Sequence, residues 1–271
     1  MDASPGDLAA LTRKITVERG FGCASYKEKC LSRRIAVRMR ARGVHTYADY
    51  ARLLDADAAE YDKLLDALTI NVTKLFRNWD TYRAIAATVV PELWSREIPN
   101  IRVWSAGCSS GQEAYSLAVL FHRHAAMQGM LAQIGRVEVL GTDIDRASLA
   151  AAQRGQFTEP DFADTPDDLR ERYFTHSAPF TISPTVRAMV RFERRDLLND
   201  PPPPGEHELI ACRNVLIYFD RDTQSRLFDV FFNALAPGGY LVLGKVETLL
   251  GPSRARFIGV DPRERIFRRP P

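Results

Sequence analysis

The spacing of apolar residues changes character near residue 100. Before this point, apolar residues recur every three or four positions, as in LAALTRKITVERG and YADYARLLDADAAEYDKLLDAL. That spacing predicts amphipathic helices. After it, short apolar runs that end in small or polar residues alternate with helical stretches; these runs are IRVWSAG, VEVLGTDID, HELIACRN and GGYLVLG. Strands alternating with helices predict a parallel sheet with helices on both faces.

The change of pattern predicts two domains. We expect a small all-helical N-terminal domain over residues 1–73, a linker helix over 74–98, and a doubly wound α/β domain over 99–271. The proline-containing stretch 156–192 follows neither periodicity, so it predicts an insertion that carries a short helix and some extended segments.

Composition narrows the functional classes. The 271 residues are 45% apolar and 26% charged, as in ordinary globular proteins. Without a long apolar run or a basic, apolar leader, we expect a cytoplasmic protein that does not insert into membranes. The net charge of +3 gives no reason to expect nucleic acid. The 4 cysteines form no C-x-x-C pair, which predicts free thiols and no metal site.

The first predicted strand is followed by a loop of small residues. Such a loop lets a nucleotide-type ligand approach the backbone at the carboxyl end of a strand, so Gly107 is a candidate contact. Glu113 falls in the first turn of the next helix, where NAD would place its pyrophosphate. A carboxylate there disfavours NAD and suits the sulfonium and ammonium of S-adenosylmethionine. Alternatively, Ser110 and Glu113 form a capping box.

Polar residues also end the next two apolar runs. Asp143, at the end of the second, is placed to accept hydrogen bonds from ribose hydroxyls, while Asp145 is the better candidate to cap the following helix. Arg213 and Asn214 end the third and lie over the same predicted crevice. Tyr218 follows within one turn, where it either contributes to the site or packs and caps local structure.

These motifs together resemble those of the chemotaxis receptor methyltransferases, the CheR family. The resemblance spans about residues 8–268 and rests on NVTKLFRN, RVWSAGCSSGQEAYSLA, LGTDID, LIACRNVLIYFD and LAPGGYLVLG. It implies a helical N-terminal domain, a linker helix, and a Rossmann-like S-adenosylmethionine-dependent methyltransferase domain with a small inserted β-subdomain. The implied reaction is methyl transfer to glutamate side chains of a methyl-accepting receptor, with S-adenosylhomocysteine as the other product.

The resemblance also implies roles for individual residues. Arg77 and Tyr218 are expected beside the reacting methyl group, and Glu113 and Asp143 at the adenosine portion. Asn71, Thr73 and Arg77 are expected to reach the cofactor from the N-terminal side, Asp196 and Leu197 to border the adenine, and Arg213 and Asn214 to close the site. A glutamate acceptor is already ionised at neutral pH and needs no general base, so Arg77 is expected to align its carboxylate.

One helix of the N-terminal domain suggests a docking surface. In KEKCLSRRIAVRMRARG, three apolar residues share one helical face, and Arg34, Arg38 and Arg42 share another. An arginine row suits the glutamate-rich cytoplasmic helices of a receptor. The alternatives are a solvated basic face and RNA binding. We expect a monomer.

The sequence departs from the family pattern in four places. Leu75-Phe76-Arg77 stands where the family usually has Phe-Phe-Arg, and Gln112-Glu113 where it often has Glu-Glu. Gly244-Lys-Val-Glu247 stands where the family usually has Gly-His-Ser-Glu, and 178–190 lacks the glycines with which some members bind a receptor tail. The departures leave open a methyltransferase acting on a non-chemotaxis protein, or a cofactor-binding signalling adaptor. A methyltransferase for RNA or a small molecule would share the cofactor site.

Overall fold

The computed structural model describes residues 5–69 and 72–271, which form two compact units. The helical unit contains the described residues up to 69 together with Tyr218–Thr223. The sheet unit contains residues 72–217 and 224–271. In the described ranges, no helix has both the length and the apolar character needed to cross a bilayer.

The helical unit is built from amphipathic helices, as the sequence predicts. They are α1 (Pro5–Arg19), α2 (Glu28–Ala41), α3 (Tyr47–Ala56) and α4 (Ala58–Leu68). The side chains of Thr46 and Asp57 cap α3 and α4 by accepting backbone hydrogen bonds, which satisfies N–H groups that the helix itself cannot. The predicted apolar face of α2 is confirmed, since the three residues that form this face are buried in the core of the unit; they are Leu31, Ile35 and Met39.

The sheet unit carries the strands and the remaining helices. The strands are β1 (Ile101–Ala106), β2 (Val137–Asp143), β3 (Gln156–Phe157), β4 (Phe180–Thr181), β5 (Val190–Arg194), β6 (His207–Cys212), β7 (Leu235–Leu243), β8 (Ile258–Asp261) and β9 (Ile266–Arg268). The helices are α5 (Trp79–Ala84), α6 (Val90–Ser95), α7 (Gln112–Met127), α8 (Arg146–Arg154), α9 (Asp167–Tyr173), α10 (Pro184–Arg187), α11 (Arg221–Ala234) and α12 (Ser253–Arg256).

The main sheet is doubly wound. Its order is β5-β2-β1-β6-β7-β9-β8, with the first five strands parallel and the last two antiparallel. The chain builds outward from β1 through β2 to β5 and then returns to β6 on the other side of β1. The switch point therefore lies between β1 and β6, and a ligand crevice is expected at the carboxyl ends of these strands. The predicted α/β class with a largely parallel sheet is confirmed.

The predicted linker helix of 74–98 is too long. Helical structure runs from Trp79 to Ser95, through α5, a π-helical stretch and α6. The helix cannot begin at residue 74 because Phe76 and Asn78 have φ of 51° and 60°, in the left-handed region. The helix ends at Ser95, before Ile98. This is consistent with Pro99, since the residue before a proline avoids helical geometry.

The inserted subdomain is present but ends earlier than predicted. β3 and β4 form a two-stranded antiparallel sheet, backed by edge-to-face contacts among phenylalanines; these are Phe157, Phe162, Phe174 and Phe180. The sequence places the end of the insertion at residue 192, yet Val190–Arg194 is a strand of the main sheet paired with β2. The irregular insertion therefore ends at Met189.

Candidate active site at the carboxyl edge of the sheet

The loop that follows β1 is shaped by glycine. Gly107 and Gly111 have φ of +77° and +92°, which side-chain-bearing residues rarely adopt. A Cβ on Gly107 would also lie 2.6 Å from a methyl carbon of Val215, in the loop after β6. The loops after β1 and β6 thus meet in close contact at the switch point, and the predicted cofactor contact of Gly107 remains a prediction.

Glu113 is a buried carboxylate in this crevice. Its Oε1 accepts a hydrogen bond of 2.8 Å from the hydroxyl of Ser105, and its Oε2 lies 3.9 Å from Nη1 of Arg213. Burial raises the pKa of the Glu113 carboxyl to about 7, although the charge of Arg213 opposes the rise. The capping-box alternative is wrong: the N-cap residue of α7 is Gly111, no side chain of the described residues caps this helix, and the Ser110 hydroxyl donates to Gln112 Oε1 at 2.9 Å.

Asp143 and Asp145 have different partners at the end of β2. Asp143 accepts backbone hydrogen bonds from Ser109 at 2.8 Å and from Asp145 at 3.0 Å, and burial raises the pKa of its carboxyl. Asp145 caps α8 by accepting from the backbone of Ala147 at 2.9 Å, which confirms the predicted cap. Because each carboxylate oxygen has two lone pairs, Asp143 keeps capacity for ribose hydroxyls, and its role as a ligand remains a prediction.

Arg213 places a buried positive charge beside Glu113. Its side chain is only 2% exposed, its Nη2 donates to the carbonyl oxygen of Arg77 at 2.8 Å, and its guanidinium carbon lies 5.0 Å from the ring centroid of Tyr82. Among the described residues, its Nε has no hydrogen-bond partner, and neither does the buried Oδ1 of Asn214. Buried polar atoms are normally paired, so these two are candidates for ligand contacts.

Arg77 lies in the 72–78 loop of the sheet unit, and hydrogen bonds fix this loop to other parts of the same unit. The backbone N–H of Phe76 donates to Ser116 of α7 at 2.8 Å, and that of Leu75 donates to the carbonyl oxygen of Asp161 in the insertion at 2.9 Å. The guanidinium of Arg77 donates to the carbonyl oxygen of Val72 at 2.7 Å. No carboxylate of the described residues forms an ion pair with it, and its charge helps to lower the pKa of Glu113.

The other predicted residues of the N-terminal side are only partly described. Thr73 is half-buried in the 72–78 loop. Asn71 lies outside the described residues. The predicted roles of both at the cofactor remain predictions.

Asp196 and Leu197 follow β5 at the same edge of the sheet. The backbone N–H of Arg195 donates to the carbonyl oxygen of Asp143 at 2.9 Å, which ties the ends of β5 and β2 together. The side chain of Asp196 organises its own turn by accepting from the backbone of Leu198 at 2.9 Å and from the side chain of Asn199 at 2.7 Å. The fold therefore brings Asp196 and Leu197 close to Asp143, where they are predicted to border the adenine.

Tyr218 belongs to the segment that is grouped with the helical unit. Its carbonyl oxygen accepts from the backbone of Lys27 at 2.9 Å, and the guanidinium carbon of Arg34 lies 5.9 Å from its ring centroid. Tyr218 therefore packs against local structure, which was one of the two alternatives for this residue. The catalytic role of Tyr218 remains a prediction.

The arginine row of α2 has partners within the helical unit. Arg38 forms a two-point ion pair with the buried Glu60, at 3.0 and 2.6 Å, and Arg42 bonds to Asp57 at 2.9 Å. Arg34 donates to the carbonyl oxygen of Ala67 at 2.7 Å. The row is therefore not simply a solvated face, and its predicted part in docking remains a prediction.

Sequence reasoning gave Glu247 no role. This residue is buried and accepts hydrogen bonds from the backbone of Asn214 at 2.9 Å and of Gly244 at 2.6 Å. The available signal was an acidic residue shortly after a buried strand, which is the same signal that identified Asp143.

The residues present fit S-adenosylmethionine. Gly107 supplies the left-handed turn that ends β1 at the crevice, Glu113 offers a carboxylate for an ammonium group, and Arg213 offers unpaired donor capacity for a carboxylate. A doubly wound sheet with this site at its switch point defines a Rossmann-like S-adenosylmethionine-dependent methyltransferase. Residues 71–263 match the family described as "CheR methyltransferase, SAM binding domain", and residues 6–69 match "CheR methyltransferase, all-alpha domain". The chain belongs to the CheR methyltransferase family.

Curated relatives align with nearly the whole chain, and their names agree with the family. The chemotaxis protein methyltransferase of Listeria monocytogenes is 33% identical over 248 residues, covering 91% of this chain and 92% of the relative. Its counterpart in Klebsiella aerogenes is 31% identical and covers 94% and 87%. Chemotaxis protein methyltransferase 1 of Pseudomonas aeruginosa is 30% identical and covers 92% of each. The resemblance to this family and the use of S-adenosylmethionine are thereby confirmed.

Proposed function

We propose that this protein transfers the methyl group of S-adenosylmethionine to glutamate side chains of a methyl-accepting chemotaxis receptor, giving a glutamate methyl ester. Three observations support the proposal: the family, the names of relatives that match along their length, and the chemistry of the crevice. The observation that carries it is Arg77, a cation that no carboxylate of the described residues neutralises.

The cofactor residues divide by charge. Glu113 would hold the ammonium group and Arg213 the carboxylate of the methionine portion, because each offers the opposite charge in a buried setting. Asp143 would accept from the ribose, and Asp196 with Leu197 would border the adenine. When bound, the cofactor supplies an electrophilic methyl group on a positively charged sulfur.

Transfer to glutamate requires alignment and no proton movement. A bond forms between a carboxylate oxygen and the methyl carbon as the carbon–sulfur bond breaks, which leaves a neutral ester and a neutral thioether. The acceptor is ionised at neutral pH, so no residue acts as a base. Arg77 would orient the incoming carboxylate with its planar guanidinium, while the crevice excludes water from two reactants of opposite charge.

The outward face of α2 is the proposed docking surface for the receptor. Lys29, Arg33 and Arg40 are exposed there, and Val37 between them is 49% exposed. These cations differ from the predicted row, whose guanidinium groups already bond within the helical unit. A basic face with an apolar centre suits an acidic amphipathic helix, since charge provides steering and the valine provides contact.

Methyl-labelled cofactor, purified protein and receptor-containing membranes test the proposal. We expect label on the receptor, and we expect Arg77→Ala to remove it even at a cofactor concentration that saturates the variant. Label on a different protein would replace the acceptor assignment. Cofactor binding without labelling of any membrane or cell protein would favour the signalling adaptor.

A further inference from the structure

Glu247 joins two loops at the carboxyl edge of the sheet. Its side chain is buried, with a residue exposure of 4%. Oε2 accepts from the backbone of Asn214 at 2.9 Å and of Gly244 at 2.6 Å, and Oε1 accepts from the backbone of Ile217 at 3.2 Å. One carboxylate thus fixes the loop after β7 and the loop after β6, which carries Arg213 and Asn214.

The contact requires glycine at position 244. A Cβ on Gly244 would lie 2.7 Å from Oε2 of Glu247 and 2.8 Å from the backbone nitrogen of Asn214. Asn214 itself has φ of 62°, a left-handed conformation that costs energy outside glycine. The carboxylate compensates this cost by accepting the N–H of the same residue.

The electrostatic setting of Glu247 is unusual. Burial raises the pKa of its carboxyl, and hydrogen bonds from the surrounding backbone oppose the rise. No Lys or Arg of the described residues forms an ion pair with it. Burying this carboxylate carries a desolvation cost, which the backbone N–H groups of Asn214, Gly244 and Ile217 offset. An apolar residue would leave these N–H groups without their acceptor, so the carboxylate fixes the conformation of both loops.

We propose that Glu247 is a positioning residue that acts through Asn214 and Arg213, holding the loop after β6 in the conformation that binds the cofactor. The proposal rests on the cofactor site proposed above. Glu247 touches neither reacting group; its effect reaches the cofactor through the orientation of its neighbours.

Glu264 provides a matched control. It is buried to a similar degree, at 5% exposure, and its carboxylate bonds to Lys245, in the same loop as Gly244, at 2.6 Å and to Thr81 at 2.8 Å. Its hydrogen bonds do not reach the 213–217 segment. Glu264→Gln therefore perturbs the same loop and the same sheet unit without altering the amides that Glu247 accepts.

The experiment measures S-adenosylhomocysteine binding by calorimetry and thermal stability for Glu247→Gln, Glu264→Gln, Asn214→Ala and the double variant Glu247→Gln/Asn214→Ala. Glutamine keeps the shape of Glu247 but loses the charge and one acceptor. We expect Glu247→Gln to raise Kd about tenfold or more and Glu264→Gln to leave Kd within about twofold at a comparable Tm. The double variant should bind more tightly than the product of the two single effects predicts, because residues that act through one another are not additive.

Each contrary result has a distinct meaning. If Asn214→Ala weakens binding and Glu247→Gln does not, the positioning role is refuted. It is also refuted if both glutamine variants weaken binding in proportion to a loss of Tm, or if the double variant shows the product of the single effects. If Asn214→Ala has no effect, the cofactor site assigned to Asn214 is wrong, and the inference about Glu247 is overturned with it.

Discussion

At the scale of single residues, Asp143 and Asp145 show how two acids separated by one residue acquire different tasks. Asp143 accepts from two loop amides at the crevice, whereas Asp145 caps α8. We expect Asp143→Ala to weaken cofactor binding about ten- to a hundredfold, since a charge-assisted hydrogen bond contributes about 1.5–3 kcal/mol. Asp145→Ala should instead cost about 1 kcal/mol of stability. Calorimetry on both variants measures the Kd for the cofactor. An unchanged Kd for folded Asp143→Ala would transfer the ligand role to Asp145.

Arg77 allows the shape of a cation to be separated from its charge. Arg77→Ala should nearly abolish methyl transfer, and Arg77→Lys should recover only part of it, because lysine keeps the charge without the planar fork. Both variants should fold, since among the described residues the guanidinium donates a hydrogen bond only to the Val72 carbonyl. Turnover and thermal melts check this together. A large loss of Tm with near-normal turnover at low temperature would show that Arg77 is structural.

Glu113 predicts a pH dependence. Burial raises the pKa of its carboxyl to about 7 from an ordinary value of 4.5, so the folded protein is partly protonated there near neutral pH. Only the ionised form attracts an ammonium group, and affinity for S-adenosylmethionine should therefore fall as pH decreases through 7. Without cofactor the sign reverses: the folded state binds this proton more tightly than the unfolded state, so stability should fall as pH rises from 4.5 to 7.

Calorimetry across this pH range, with Glu113→Gln as the control, tests the dependence. The variant should bind weakly and should lose the slope that the wild type shows. An equal slope in both proteins would assign the titration to another group.

At the scale of elements, α2 separates structural from surface charge. Arg38 bonds to the buried Glu60, while Arg33 and Arg40 are exposed. Reversing both exposed charges, Arg33→Glu with Arg40→Glu, should raise KM for the receptor about tenfold or more, equivalent to about 1.4 kcal/mol. Cofactor affinity should be unchanged. Arg38→Ala is the contrast, because it should lower Tm by leaving Glu60 buried without its main partner.

Labelling assays at low and high salt measure the effect on KM. The difference between wild type and the reversed variant should shrink as salt screens the charges. If the wild type and the reversed variant had the same KM at low salt and also at high salt, this face of α2 would be excluded from docking.

Elements with a strong burial contrast could be predicted from the sequence, and elements without it could not. In α2 the apolar residues repeat clearly because one face is buried, and the interior strand β6 is marked by an apolar run because it is buried along its whole length. β5 and β8 are edge strands, mostly exposed, and so they lack the apolar pattern that marks a strand. The predicted start of the linker helix is wrong for another reason. The left-handed conformations of Phe76 and Asn78 leave no mark on the spacing of apolar residues.

At the scale of the whole molecule, much of the candidate site could be predicted because parallel strands end at one edge. Topology alone brings together the residues after β1, β2, β5 and β6, which include Gly107, Asp143, Asp196 and Arg213. The link from Glu247 to Asn214 could not be predicted in this way. It joins side chain to backbone across a separation of 33 residues, and any residue type presents the same backbone amide.

The central claim is that the methyl group goes to a glutamate carboxylate, and the chemistry of the labelled product tests it most directly. Receptor labelled with methyl-tritiated S-adenosylmethionine is treated with mild base and, in parallel, digested for mass spectrometry. Our account predicts that base releases the label as volatile methanol and that the methyl group maps to glutamate side chains. Label that survives base, or that maps to a nitrogen or to nucleic acid, would contradict it.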